Sequence, residues 1–128
     1  MKRFIYQIKH WYHVNRIYIK NYGFNFKTLF HDLDKIWYIC MWDFDDHLYK
    51  VRHRRVKHHH LSWMLLHKNL ITERDINELI CDWESSRFSK PNKKLNAKEQ
   101  AIIETEQINQ LPLQFKQMLI NKANSIKS

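Results

Sequence analysis

The stretch Thr72-Glu73-Arg74-Asp75-Ile76-Asn77-Glu78-Leu79-Ile80-Cys81-Asp82-Trp83 sets the reading of the whole chain as helical. Thr72 is a good N-cap, because its hydroxyl can accept from first-turn N–H groups that have no partner inside the helix. The acids Glu73 and Asp75 suit the positive end of the helix dipole. Ile76, Leu79, Ile80 and Trp83 then recur three and four positions apart and form one apolar stripe. Asp82 lies beside that stripe, three residues after Leu79, so it can face a partly buried site. A carboxylate there is costly without a cation or a donor, and a salt bridge to one of the many basic residues would satisfy it as a metal would.

Downstream, Ser89-Lys90-Pro91-Asn92-Lys93-Lys94 reads as a linker. Ala97 to Gln110 and Pro112 to Ile126 read as two further helices, the second opened by a proline tolerated in the first turn. Their polarity and lack of histidine suggest a flanking or partner-binding extension. The expected organisation is therefore a core over 1–90, followed by a linker and a C-terminal helical extension over 91–128, packed on or flanking that core. No repeat is visible and no segment alternates long enough for a strand, so the chain reads as all-α with about five to six helices.

Upstream, Asp43 to His67 is polar, basic and rich in histidine. His53 and His60 are seven apart and share a face if the helix is continuous, whereas His59 needs a bend near Lys57 or His58 to join them. An exposed basic face with fortuitous imidazoles is the plain alternative for Arg52 to His60. Before it, Phe24 to Phe30 reads as a short helix that delivers His31-Asp32-Leu33-Asp34-Lys35. Leu33, Ile36, Trp37, Cys40 and Met41 continue at helical spacing after a turn at His31 to Asp34. The first segment, Lys2 to Tyr22, carries Phe4, Ile5, Ile8, Trp11, Tyr12, Ile17, Tyr18 and Ile19 in a helical recurrence, with Gly23 as its stop. His13 falls among these aromatics, where it could simply be a packed core residue.

The chain has 128 residues, enough for one compact domain with a modest core. A single glycine rules out glycine-rich phosphate loops, and with them P-loop and dinucleotide-fold readings. The net charge of +9 is lopsided, since residues 1–60 hold twelve Lys or Arg against five Asp or Glu, and residues 61–128 hold ten against eight. A basic, aromatic half suits phosphate-bearing partners such as a nucleotide or nucleic acid, although solvated helix faces explain it too. Cys40 and Cys81 lack a CxxC spacing and sit in apolar patterns, which points to buried reduced thiols. Lys9, His10 and His13 interrupt any signal-peptide core, and no apolar run nears the ~20 residues of a membrane helix. The expectation is a cytoplasmic protein of a bacterial host or phage-infected cell, with no membrane partner.

His13, the pair His31-Asp32, His53, the run His58-His59-His60 and Asp82 make an order of imidazoles and carboxylates large enough to hold two cations. Lys35 stands one helical turn after Asp32. It could bind a phosphate as a point charge or simply pair with Asp32 or Asp34.

His31, Asp32 and Lys35 resemble the HDxxK core of the HD superfamily of metal-dependent phosphohydrolases, with His13 and Asp82 completing its H…HD…D order. Residues 13–88 resemble more closely a family of small bacterial and phage proteins known only as a domain of unknown function. The likeness lies in His13-Val14, in His31, Asp32 and Lys35, in His53 with His59-His60, and in Cys81-Asp82-Trp83. Asp34 stands where that family usually has serine. No GYP element is present, so a cyclic-dinucleotide substrate is not implied.

What the resemblance implies is an HD-like helical bundle that holds one or two divalent transition metals: iron, manganese, zinc or nickel. His13, His31, Asp32 and Asp82 would ligate one. His53 with His59 or His60 would hold the other, bridged through Asp32. Metal-activated water would then attack a phosphoester of a nucleotide-type substrate, with Asp32 and Lys35 in catalytic roles and Lys35 and Arg55 steering the phosphate. The competing expectation is a basic phage or mobile-element protein, not an enzyme, that grips nucleic acid or a host protein.

Overall fold

The computed structural model describes residues 2–24, 60–89 and 95–128. Among them lie six α-helices and one 3-10 turn, and no strand, in agreement with the all-α reading. The helices are α1 Lys2–Tyr22, α2 Leu61–Leu66, α3 Glu73–Ser89, α4 Ala97–Ile103, α5 Thr105–Ile108 and α6 Leu113–Ser125, with the 3-10 turn at Lys68–Leu70. Beyond Phe24, the helix expected over Phe24 to Phe30 lies outside the described residues. So do the turn at His31 to Asp34, the pattern from Leu33 to Met41, Cys40, and the linker from Lys90 to Lys94.

α3 is the central element, and its start follows the sequence closely. The Asp75 N–H donates to Thr72 Oγ1 at 3.3 Å and the Thr72 N–H donates to Asp75 Oδ2 at 3.0 Å. Each side chain thus satisfies an orphan donor of the other in a reciprocal cap. Ile76, Leu79, Ile80 and Trp83 are buried in one cluster with Leu61, Trp63 and Met64 of α2 and with Ala97, Ile108, Leu111, Leu119 and Ala123 from further along the chain. Residues beyond the linker therefore help build the same core, at roughly 1.5–3 kcal/mol for each large aliphatic side chain removed from water.

α1 packs against α3 through Val14, Ile17 and Tyr18, which enclose Cys81. The buried face of α1 is Gln7, His10, Val14, Ile17 and Tyr18. Ile5, Ile8, Tyr12 and Ile19, which the sequence pattern counts toward the apolar recurrence, are turned outward. α1 carries apolar groups on two faces, and only the face bearing Val14 and Ile17 meets α3. Gly23 ends the helix as expected: at φ +87° it donates its N–H to the Ile19 carbonyl at 3.1 Å, a left-handed closure that costs glycine nothing sterically.

Two expected boundaries shift. His60 has an extended backbone (φ −109°, ψ 142°) at the N-cap position of α2, so His60 itself is not part of a helix, and residues 53–59 lie outside the described residues. The single helix expected over Ala97–Gln110 is two pieces that meet at Glu104. There the Thr105 hydroxyl donates back to the Ile102 carbonyl at 2.5 Å, and such a back-bond competes with the regular ladder. α4 begins at Asn96, which forms a capping box with Glu99, and the Ala97 N–H donates to the buried Glu84 Oε1 at 2.9 Å, fastening α4 to α3. α6 follows Pro112, whose carbonyl accepts from the N–H groups of Phe115 and Lys116, both at 3.0 Å. None of the described helices is long and apolar enough to cross a membrane.

Candidate functional site

Where α1 crosses α3, His10 Nε2 and Asp82 Oδ1 stand 2.6 Å apart. A nitrogen and an oxygen this close need a proton between them, so the pair is a short, charge-assisted hydrogen bond. Both partners are held from behind. Ser85 and Ser86 each donate a hydroxyl to the Asp82 carbonyl at 2.9 Å, and Ser85 Oγ lies 3.4 Å from His10 Nδ1. Tyr6, one turn earlier on α1, stacks on the His10 ring with centroids 6.0 Å apart and planes at 14°. The local sequence explains this convergence. Gln7, His10 and Val14 share the α1 face that meets α3, and Asp82 sits one position before Trp83 at the edge of the α3 stripe.

The pair opens onto a cavity of about 330 Å³. α1 contributes Tyr6, Gln7 and His10 to its wall, and α3 contributes Leu79, Asp82, Trp83 and Ser86. His60, Leu61 and Ser62 close one side and Gln100, Glu104 and Gln107 another. The lining is mostly polar, with aromatic rings from Tyr6 and Trp83.

Of the expected ligand set, three members lie within the described residues. Asp82 and His60 line this cavity together. His13 does not, and the first-helix imidazole beside Asp82 is that of His10. His13 Nδ1 instead faces Arg16, with Nη2 at 3.2 Å and Nε at 3.4 Å, while its ring stacks on Phe88 at 5.2 Å and 24°. Burial first, then the charges of Arg16, His10 and Lys9, hold the His13 pKa below its usual 6.5. With Arg16 donating to Nδ1, the neutral ring carries its proton on Nε2. In this arrangement neither nitrogen of His13 offers a free lone pair to a metal. The physical reason for the exchange is angular: positions 10 and 13 differ by about 60° around the helix, and position 10 falls on the α3 side.

His31, Asp32, Lys35, His53, Arg55 and His59, which the expected metal and phosphate sites require, lie outside the described residues. Among the described residues no three His, Cys, Asp or Glu side chains are gathered as one metal ion would need. His10 and Asp82 meet, and His60 lines the same cavity without joining them in one cluster; imidazole and carboxylate are the donor types that a borderline divalent cation takes.

No protein-family model, curated protein or solved structure matches the chain.

Sequence reasoning overlooked His10, Gln7 and the two serines. The signal for His10 was present, since Gln7, His10, Val14, Ile17 and Tyr18 recur at helical spacing. A count restricted to apolar residues drops the first two and chooses the wrong phase. Ser85 and Ser86 both donate to the Asp82 carbonyl one turn earlier, a role that residue type alone does not reveal.

Proposed function

We propose that the chain is a metal-dependent phosphohydrolase of the HD-like kind, acting on a phosphoester of a nucleotide-type substrate. The observation that carries this reading is the meeting of Asp82 with a first-helix imidazole at 2.6 Å, on a polar cavity that His60 also lines. Residues far apart in the chain thus share one concave site, with His10 in place of the expected His13. Asp82 would hold one cation with the sequence-assigned His31 and Asp32, and His60 would hold a second with His53. When bound, such a cation lowers the pKa of its water and screens charge on phosphoryl oxygens.

The chain's own residues supply the rest. Asp82 orients the His10 ring and stabilises its charged form, so the pair can hold a proton beside the cavity and pass it to a departing oxygen. Ser85 and Ser86 keep the Asp82 segment in place. Elemental analysis of untagged protein tests the reading, with one to two transition metals per chain expected, together with turnover on a phosphoester panel and loss of both in Asp82→Asn. Metal-free protein inert on every phosphoester overturns it.

One observation favours the second reading, in which the chain binds nucleic acid through a basic aromatic surface. The guanidinium groups of Arg16 and Arg87 lie 5.1 and 4.7 Å from the centroid of the half-exposed Phe88 ring, next to His13. Such clusters engage phosphates and bases with strong salt dependence. Binding to single-stranded DNA that weakens steeply with added salt, and weakens further in Arg16→Ala, would support it.

A further inference from the structure

Residues 126–128 lie across the corner where Arg16, Arg87 and Phe88 meet. Ile126 leaves α6 in an extended conformation (φ −62°, ψ 138°) and packs against both clusters of the core. Asn21 of α1 then holds the Lys127 peptide with both ends of its carboxamide, at 2.7 Å to the carbonyl and 2.8 Å from the N–H. This hold delivers Ser128 to two cations. Arg16 Nη1 donates to the Ser128 carbonyl and Arg87 Nη2 to the Ser128 hydroxyl, both at 2.7 Å. Neither guanidinium turns freely. Arg16 is fixed along its other edge by His13 Nδ1, and Arg87 Nε lies 3.2 Å from Glu84 Oε2. Both also lie over the Phe88 ring, which helps to hold them in position. Two oriented guanidiniums that converge on the oxygens of one residue have the donor geometry that a phosphate group takes.

We propose that residues 127–128 are a displaceable strap over a phosphate-binding site for single-stranded nucleic acid, made by Arg16, Arg87 and Phe88, so that Ser128 and a strand phosphate compete for the same donors. The strap rests on the nucleic-acid reading, to which it adds a means of control, and involves no residue of the cavity wall. Charge sets the direction of the exchange. The Ser128 hydroxyl is a neutral acceptor, whereas a phosphate oxygen is charged, and hydrogen bonds to an ionised acceptor are roughly twice as strong. The Asn21 bonds offset part of that difference by holding the strap in place. Closure then lowers the apparent affinity for a strand by the fraction of molecules in which the strap is open.

The test is fluorescence anisotropy of a labelled oligothymidylate with the full, untagged chain and three variants. Asn21→Ala frees the Lys127 peptide and leaves both guanidiniums in place. Because one hydrogen bond shifts such an equilibrium by a factor of about 2–10, this variant should bind about fivefold or more tighter. Ser128→Asp sets a carboxylate against Arg16 and Arg87 and should bind about fivefold or more weaker. A latch that served the fold alone would move the melting temperature in both variants and the affinity in neither. Affinity unchanged in either variant, or changed in the opposite direction, overturns the strap. Should Asn21→Ala not fold, Ser128→Asp against the unaltered chain still decides. Arg16→Ala tells the two failures apart. If it weakens binding while the strap variants change nothing, the nucleic-acid reading stands without the strap; if no protein binds the oligonucleotide, both fall.

Discussion

Asp82 Oδ1 and His10 Nε2 meet at 2.6 Å although 72 positions separate them in the chain. With side-chain exposures of 14% and 5%, neither group is well solvated, so the bond between them is made largely out of water. Asp82→Asn keeps the shape but removes the charge. It should lower unfolding free energy by about 1.5–3 kcal/mol in urea titrations, the range for hydrogen bonds to charged groups. His10→Ala should cost a similar amount, and the double variant less than the sum, because both changes remove the same bond.

The phase of α1 makes a contrasting pair of substitutions. Ile17 is fully buried, and Ile17→Ala should destabilise by about 2–5 kcal/mol. Ile8, on the outward face, should tolerate Ile8→Ser within about 0.5 kcal/mol. Thermal melts of the two proteins side by side check the assignment, and equal losses would refute it.

At the start of α3, Thr72→Ala removes the hydroxyl that receives the Asp75 N–H. A loss of about 1 kcal/mol is expected from chemical denaturation. Thr72→Ser, which keeps the oxygen, should recover most of it.

How much of this was legible depends on what kind of signal each residue carries. The Thr72 cap and the Ile76, Leu79, Ile80 and Trp83 stripe were readable because local chemistry and burial agree along α3. Gly23 was readable because only a left-handed residue ends α1 where it does. α1 itself was readable as a helix but not in its phase, since two of its faces are apolar and only tertiary packing chooses between them. For the same reason the sequence put His13 forward, whereas the structure brings His10 to Asp82. The break at Glu104 depends on a back-bond from Thr105 that polar helical spacing does not announce. Glu104 and Gln100 drew no attention because their significance lies in facing a cavity built by other helices.

The depressed pKa of His13 carries a sign for stability. A histidine that binds its proton less tightly when folded than when unfolded contributes nothing unfavourable above the unfolded value near 6.5. Below it the unfolded chain takes up the proton first, so the fold loses stability as pH falls through 6.5 toward the lower folded value. Histidine resonances followed by NMR should place His13 below that of a model peptide. Arg16→Ala should move it part of the way back, since burial, the larger cause, persists.

Cys81 makes a reactivity prediction. Burial, followed by the charges of Asp82, Glu78 and Glu84, pushes its thiol well above the ordinary range. Native protein at pH 8 should therefore leave Cys81 unlabelled by iodoacetamide over minutes, while urea-unfolded protein reacts at the rate of a free thiol. Mass spectrometry of the peptide containing Cys81 distinguishes the two.

Asn21 grips the Lys127 peptide with both ends of its carboxamide, donating to the carbonyl at 2.7 Å and accepting from the N–H at 2.8 Å. Beside it, Arg16 donates to the Ser128 carbonyl at 2.7 Å. These latches span more than a hundred residues, so they bring little local reward early in folding and must close late. During synthesis α1 emerges before α3, and its inner face stays without that partner until α3, and later residues 127–128, have followed. A chaperone that shields α1 in that interval would raise the yield of folded protein without altering its final stability.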